Sequence, residues 1–269
     1  MCKFGANTPI VADWISSMAI RCTSPSDSPG SVVNVEVSNN GIDFTTNNIE
    51  YKYSETLVVS KIVPNSGPLH GGTRLKVFGS GLSQAAVLFC RFGSGSKSTR
   101  AVSVSNTSIE CVTPAQITPG TVCVEVSNNN VDFSQNCVTF QFTRAARIVK
   151  MYPKHGPRSG DTKVTVVGKH FRAGHMWCRF GSGANAVAAP AYKVIANDTV
   201  MCVSPSQLQD YVTLEVSNND GIDYSQSGLQ FLFLESPTLN YLYPQQGPEA
   251  GGTTLMIGGQ HFYNAIGIS

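Results

Sequence analysis

Cys2, Cys22, Cys90, Cys111, Cys123, Cys137, Cys178 and Cys202 are the residues of this 269-residue chain most able to do covalent chemistry. Eight thiols can build four disulfides or ligate metal. No Cys-x-x-Cys pair occurs, and His70, His155, His170, His175 and His261 form no metal-spaced cluster, so neither a metal nor a cofactor is expected. Asn106-Thr-Ser and Asn197-Asp-Thr are the sequons, each five residues before a cysteine, and they are expected to carry N-glycans. Other chemistry fails on context. The run RFGSGS at 91–96 resembles a phosphate loop, but no Lys-Ser/Thr and no helix follows it. No Gly-x-Ser-x-Gly elbow appears, and no enzyme is expected. Asp43, Asp132 and Asp223 have too few carboxylate neighbours for a calcium cage and read as turn caps.

The elements that hold these residues recur. VEVSNNGIDF begins at residue 35, VEVSNNNVDF at 124 and LEVSNNDGIDY at 214, intervals of 89 and 90 residues. CKFG, CRFG and CRFG begin at Cys2, Cys90 and Cys178; CTSP, CVTP and CVSP begin at Cys22, Cys111 and Cys202. PNSGPLHGGT, PKHGPRSGDT and PQQGPEAGGT begin at Pro64, Pro153 and Pro244. A period near ninety residues is a small domain rather than a solenoid repeat. Four segments follow: 1–60, the C-terminal part of a domain; 61–143 and 144–235, complete domains; and 236–269, the N-terminal part of a domain complementary to 1–60. Two readings of the part-domains stay open, one period of a longer covalent array or exchange of half-domains between copies. Either would leave an isolated part-domain with a bare core and free strand edges.

Each repeat reads as β. Val33, Val35 and Val37 share one face and Asn34 and Glu36 the other; Val122, Val124 and Val126 keep that parity, as do Val212, Leu214 and Val216. Ser-Asn-Asn and an aspartate then supply a turn before a second alternating strand, such as Leu229, Phe231 and Phe233. The Gly-Gly-Thr segments open further alternating strands. Short strands with frequent turn signals predict an all-β chain of tandem immunoglobulin-like sandwiches arranged as a rod. Trp177, beside Cys178, is expected at a core position, whereas Trp14 has no evident role.

The combination P-x-x-G-P-x-x-G-G-T-x-L-x-V, C-x-F-G and V-S-N-N-G-x-D-F resembles the IPT/TIG family of plexins, growth-factor receptors and Rel-type transcription factors. That resemblance covers nearly the whole chain and implies an early-set immunoglobulin-like sandwich. By equivalence between repeats, Cys2 pairs with Cys22, Cys90 with Cys111 and Cys178 with Cys202. Cys123 and Cys137 occur only in the second repeat, on the outward faces of two strands flanking a hairpin, where a cross-strand bridge fits. Four bridges imply an oxidising compartment, extracellular or at the cell surface. A net charge of +2 and only 13% charged residues argue against a nucleic-acid partner, and no run is long and apolar enough for a membrane helix. The first expectation is a non-enzymatic filament or appendage in which further copies, or neighbouring repeats, stand head to tail. The alternative is the ectodomain stalk of a receptor or adhesin that binds protein or carbohydrate.

Overall fold

The computed structural model describes residues 1–82, 87–208 and 211–263; the last six residues of the 236–269 segment lie outside the described residues. Strands dominate throughout, and no α-helix occurs among the described residues. The chain forms two compact units: Met1–Ile62 with Lys76–Cys111 and Cys123–Val138, and Val63–Leu75 with Val112–Val122 and Thr139–Ser269.

The first unit begins with β1 (Cys2–Phe4), β2 (Asp13–Ser16), β3 (Ala19–Arg21), β4 (Val32–Val37) and β5 (Ile49–Lys52). β1, β4 and β5 form an antiparallel sheet in that order, and β2 pairs with β3. The next repeat contributes β6 (Val58–Val63), β7 (Ser66–Pro68), β8 (Arg74–Ser80), β9 (Phe89–Phe92), β10 (Thr99–Arg100), β11 (Val102–Ser105), β12 (Ser108–Val112), β13 (Gly120–Ser127) and β14 (Val138–Thr143). Within the first unit β9 lies between β10 and β13, with Cys90 opposite Val126. Within the second unit β14 runs parallel to β7, with Phe142 opposite Gly67.

A whole sandwich lies inside the second unit. Its strands are β15 (Arg147–Tyr152), β16 (His155–Pro157), β17 (Lys163–Lys169), β18 (Trp177–Phe180), β19 (Val187–Pro190), β20 (Lys193–Ala196), β21 (Thr199–Val203), β22 (Tyr211–Ser217) and β23 (Gln230–Leu234). One sheet has the order β15-β17-β21-β20 and the other β16-β23-β22-β18-β19. Alternation dictates the core between them: Val164 and Val166 from β17, Val200 from β21, Val212, Leu214 and Val216 from β22, and Phe231 and Phe233 from β23 are all buried. Cys178 of β18 and Cys202 of β21 are bonded across this core, Cα to Cα 5.9 Å, so the bridge joins the two sheets.

The Pro/Gly turns ahead of β8 and β17 depend on close approach. A Cβ on Gly156 would sit 2.2 Å from the Thr162 hydroxyl oxygen, and one on Gly67 would sit 2.2 Å from that of Thr73. No other residue fits under the threonine.

The flanking segments keep the pattern without its burial. β24 (Thr238–Tyr243) pairs with β25 (Met256–Gln260) in the second unit. Ile257 holds the position of Val166, yet it is 51% exposed against 0% for the valine. In the first unit Ile20 holds the position of Val200 and is 42% exposed against 0%. Leu239, Leu255, Phe262, Val37 and Tyr51 are exposed in the same way. In each of these two segments apolar residues of the repeated strands are left exposed among the described residues.

Candidate functional site

The loop after the repeated strand is the best-organised polar feature of the chain. Its local rule is the same in all three copies. The serine hydroxyl points at the second asparagine: Ser38 Oγ lies 3.0 Å from Asn40 Oδ1, Ser127 Oγ 3.1 Å from Asn129 Oδ1 and Ser217 Oγ 2.9 Å from Asn219 Oδ1. That asparagine then grips the aspartate, its Nδ2 donating to Asp43 Oδ2 at 2.8 Å, to Asp132 Oδ2 at 2.8 Å and to Asp223 Oδ2 at 2.7 Å. Each aspartate N–H donates back to the asparagine Oδ1. The loop is a side-chain-braced turn that needs left-handed backbone, supplied by Gly41, by Asn130 and by Asp220 with Gly221. The residue added in the third copy is thus a second left-handed position.

In the third copy the brace reaches further. Thr73 Oγ1, in the turn before β8, donates to Asp223 Oδ2 at 2.6 Å. Asn219 Nδ2 also donates to the Ser66 carbonyl at 2.9 Å. Thr73 is fully buried and Asn219 nearly so, and all four residues lie in the second unit. Asn218 anchors the loop to its own domain, its Nδ2 donating to the His170 carbonyl and its Oδ1 accepting the Arg172 N–H. Arg172 Nη2 donates to Gln141 Oε1 at 2.8 Å. Turn capping by Asp43, Asp132 and Asp223 is what the residue types predict. The contacts to Ser66 and Thr73 are what sequence reading missed. A signal was present, because Gly-Pro…Thr recurs on the same beat as Ser-Asn-Asn…Asp.

Around this loop Arg179 stacks 3.9 Å from the Tyr224 ring, as Arg91 does on Phe133. Burial pushes the Tyr224 phenol above its usual 10.0, while the Arg179 charge pulls the other way. Trp177 is half-buried beside Gly221 rather than in the core, because its indole covers that left-handed glycine instead of entering between the sheets. Trp14 is exposed.

The cysteines are bonded as Cys2–Cys22, Cys90–Cys111, Cys123–Cys137 and Cys178–Cys202, with Cα separations of 6.4, 6.3, 4.9 and 5.9 Å. Asn106 lies at the exposed turn between β11 and β12, and Asn197 at the equivalent exposed turn between β20 and β21. Among the described residues no group of three or more His, Cys, Asp or Glu side chains is placed to hold a metal ion. No helix among them is long and apolar enough to cross a membrane.

Comparison with known proteins gives these features a context. Plexin-2 of Caenorhabditis briggsae is 25% identical over 208 residues, which cover 76% of this chain and 11% of that protein. Fibrocystin-L of Mus musculus is 26% identical over 263 residues, 94% of this chain and 6% of that protein. The chain therefore spans about a tenth or less of these relatives. Among solved structures, the full extracellular region of plexin A4 superposes with a TM-score of 0.48 at 18% identity, covering 84% of this chain and 21% of that one. The chain, with its four disulfides, is extracellular or at the cell surface. The family model of the IPT/TIG domain matches residues 1–53, 57–142 and 146–233, most of the sequence, and the chain belongs to the IPT/TIG domain family.

Proposed function

We propose that this chain is part of the ectodomain stalk of a cell-surface receptor, a non-catalytic spacer of consecutive IPT/TIG domains. The observation that carries this reading is the tandem match at 1–53, 57–142 and 146–233, with only three residues between successive matches, in a chain similar to plexins along three-quarters of its length. Links this short restrict how consecutive domains can swing. The plexin relatives favour a stalk over a filament. Antibodies raised against these residues are expected to label intact, unpermeabilised cells, and labelling that appears only after permeabilisation overturns the reading. On the same material, peptide N-glycosidase is expected to lower the mass in two steps, lost one at a time in Asn106→Gln and Asn197→Gln.

Head-to-tail assembly is a second reading with one observation behind it. Ile20 and Ile257, both exposed, hold the positions that Val200 and Val166 fill in the whole sandwich of the second unit. Val166 of β17 pairs with Val200 of β21 in the whole domain, and the same register would set Ile257 against Ile20. Electron microscopy of the chain at high concentration is expected to show filaments with one axial repeat per chain if copies join this way. Separate particles at every concentration discard it.

A further inference from the structure

We propose that the Ser-Asn-Asn…Asp loop is a docking plug and the Gly-Pro…Thr turn its socket, so that each IPT/TIG domain fixes the orientation of the domain before it through an aspartate-to-threonine hydrogen bond. The proposal rests on the stalk reading for its purpose and on three observations for its substance.

The occupied pair shows the chemistry. Asp223 and Asn219, from the 144–235 domain, meet Thr73 and the Ser66 carbonyl of the 61–143 domain across 150 and 153 positions of sequence. The Thr73 hydroxyl donates to a carboxyl oxygen at 2.6 Å, a length in the range of charge-assisted bonds. Thr73, Ser66 and Asn219 are buried and Asp223 is half-buried, so the bond is partly shielded from competing water.

The plug is preformed wherever the phrase occurs. In each copy the serine–asparagine–aspartate brace fixes the carboxylate before any partner arrives, at the spacings given above. Asp43 and Asp132 are built like Asp223.

The socket is preformed as well. A Cβ on Gly67, Gly156 or Gly247 would lie 2.2, 2.2 or 2.5 Å from the hydroxyl oxygen of Thr73, Thr162 or Thr253. Backbone bonding of the first two matches: Thr113 N–H donates to the Thr73 carbonyl and Ser204 N–H to that of Thr162. The Thr73 and Thr162 N–H groups each donate to a neighbouring hydroxyl, of Thr113 and of Ser204. Thr73, with its plug seated, is fully buried, whereas Thr162 is half-buried. The partner that fits Thr162 is therefore the Asn/Asp loop of an IPT/TIG domain docked on its C-terminal side.

The test uses the full oxidised chain, with spin labels at Ile117 and Leu208, exposed positions on the two domains, attached through non-canonical amino acids to spare the cysteines. Pulsed electron–electron resonance is expected to give one narrow distance distribution. Thr73→Val, which keeps the shape and removes the donor, is expected to widen it at least twofold. Asp223→Ala is expected to do the same, and the double variant to widen it no further than either alone. Unchanged widths in both single variants, or widths that add in the double, overturn the proposal. Far-ultraviolet circular dichroism confirms that each variant is folded. Failure here leaves surface labelling untouched, and failure of surface labelling leaves the distance widths untouched.

Discussion

Phe231→Ala is expected to lower the unfolding free energy of the 144–235 domain by about 3–5 kcal/mol, the usual range for emptying an aromatic site in a core. Phe231 is fully buried on β23. Its ring meets Phe180 edge-on at 5.5 Å and 84°, and Phe233 at 4.9 Å and 69°. Such pairs add about 0.5–1.5 kcal/mol to area burial. Gly156 also lies against the ring, where a Cβ would come within 3.1 Å of Phe231 Cζ. The site cannot collapse to fill the gap, because its walls belong to two sheets that the Cys178–Cys202 bridge holds together. Guanidinium titration followed by Trp177 fluorescence measures the loss. Phe231→Leu, which retains most of the volume, should cost about half as much or less. A loss under about 1 kcal/mol for the alanine would mean that the ring is not packed as described.

Glu215→Ala should cost on the order of 3 kcal/mol, although the residue is charged and stands on the face of β22 that alternation turns away from the core. Glu215 is only 5% exposed. It accepts from the Ser225 hydroxyl, from the Ser227 N–H at 2.9 Å and from the Gly228 N–H at 2.9 Å. Removing it strands three donors, each of which costs about 1–3 kcal/mol when left unpaired, less whatever water enters the space. Ser225→Ala removes one of these bonds and also the one its hydroxyl accepts from the Val216 N–H at 3.1 Å, and should cost about 2 kcal/mol. Because Ser227 Oγ also accepts the Ile148 N–H, the effect should spread to β15, visible as faster hydrogen exchange at Ile148 in the alanine variant. Unchanged exchange there would confine the role of Glu215 to its own loop.

These two residues mark the limit of what the sequence could tell. Phe231 was legible: it alternates with Gln230 and Leu232 in a strand that two other repeats also write, and alternation follows from the pleat. Glu215 was legible only in part. The same parity places its equivalents Glu36 and Glu125 on the outer face, where they meet Lys3 at 3.1 Å and Arg91 at 2.6 Å. In the third repeat the 225–228 loop covers that face, and loop conformation is not a periodic property. For the contact of Asp223 with Thr73 the sequence held only the shared beat of the two motifs, since turn chemistry is local and this partner lies 150 residues away. The exposure of Ile20 and Ile257 was foreseeable, because periodicity tells which face seeks cover and the repeat order tells which strands would provide it.

The disulfides set how far the chain can be stretched. When a chain is pulled from its two ends, any segment closed by a bridge is bypassed by the load. The bridges close separations of 20, 21, 14 and 24 residues that do not overlap. At roughly 3.4 Å per extended residue they withhold on the order of 250 Å from a contour of roughly 900 Å. Even with every sheet torn open, more than a quarter of the chain stays slack until the sulfur bonds are reduced. The last quarter of the extension of these residues is therefore set by the redox state of the surroundings.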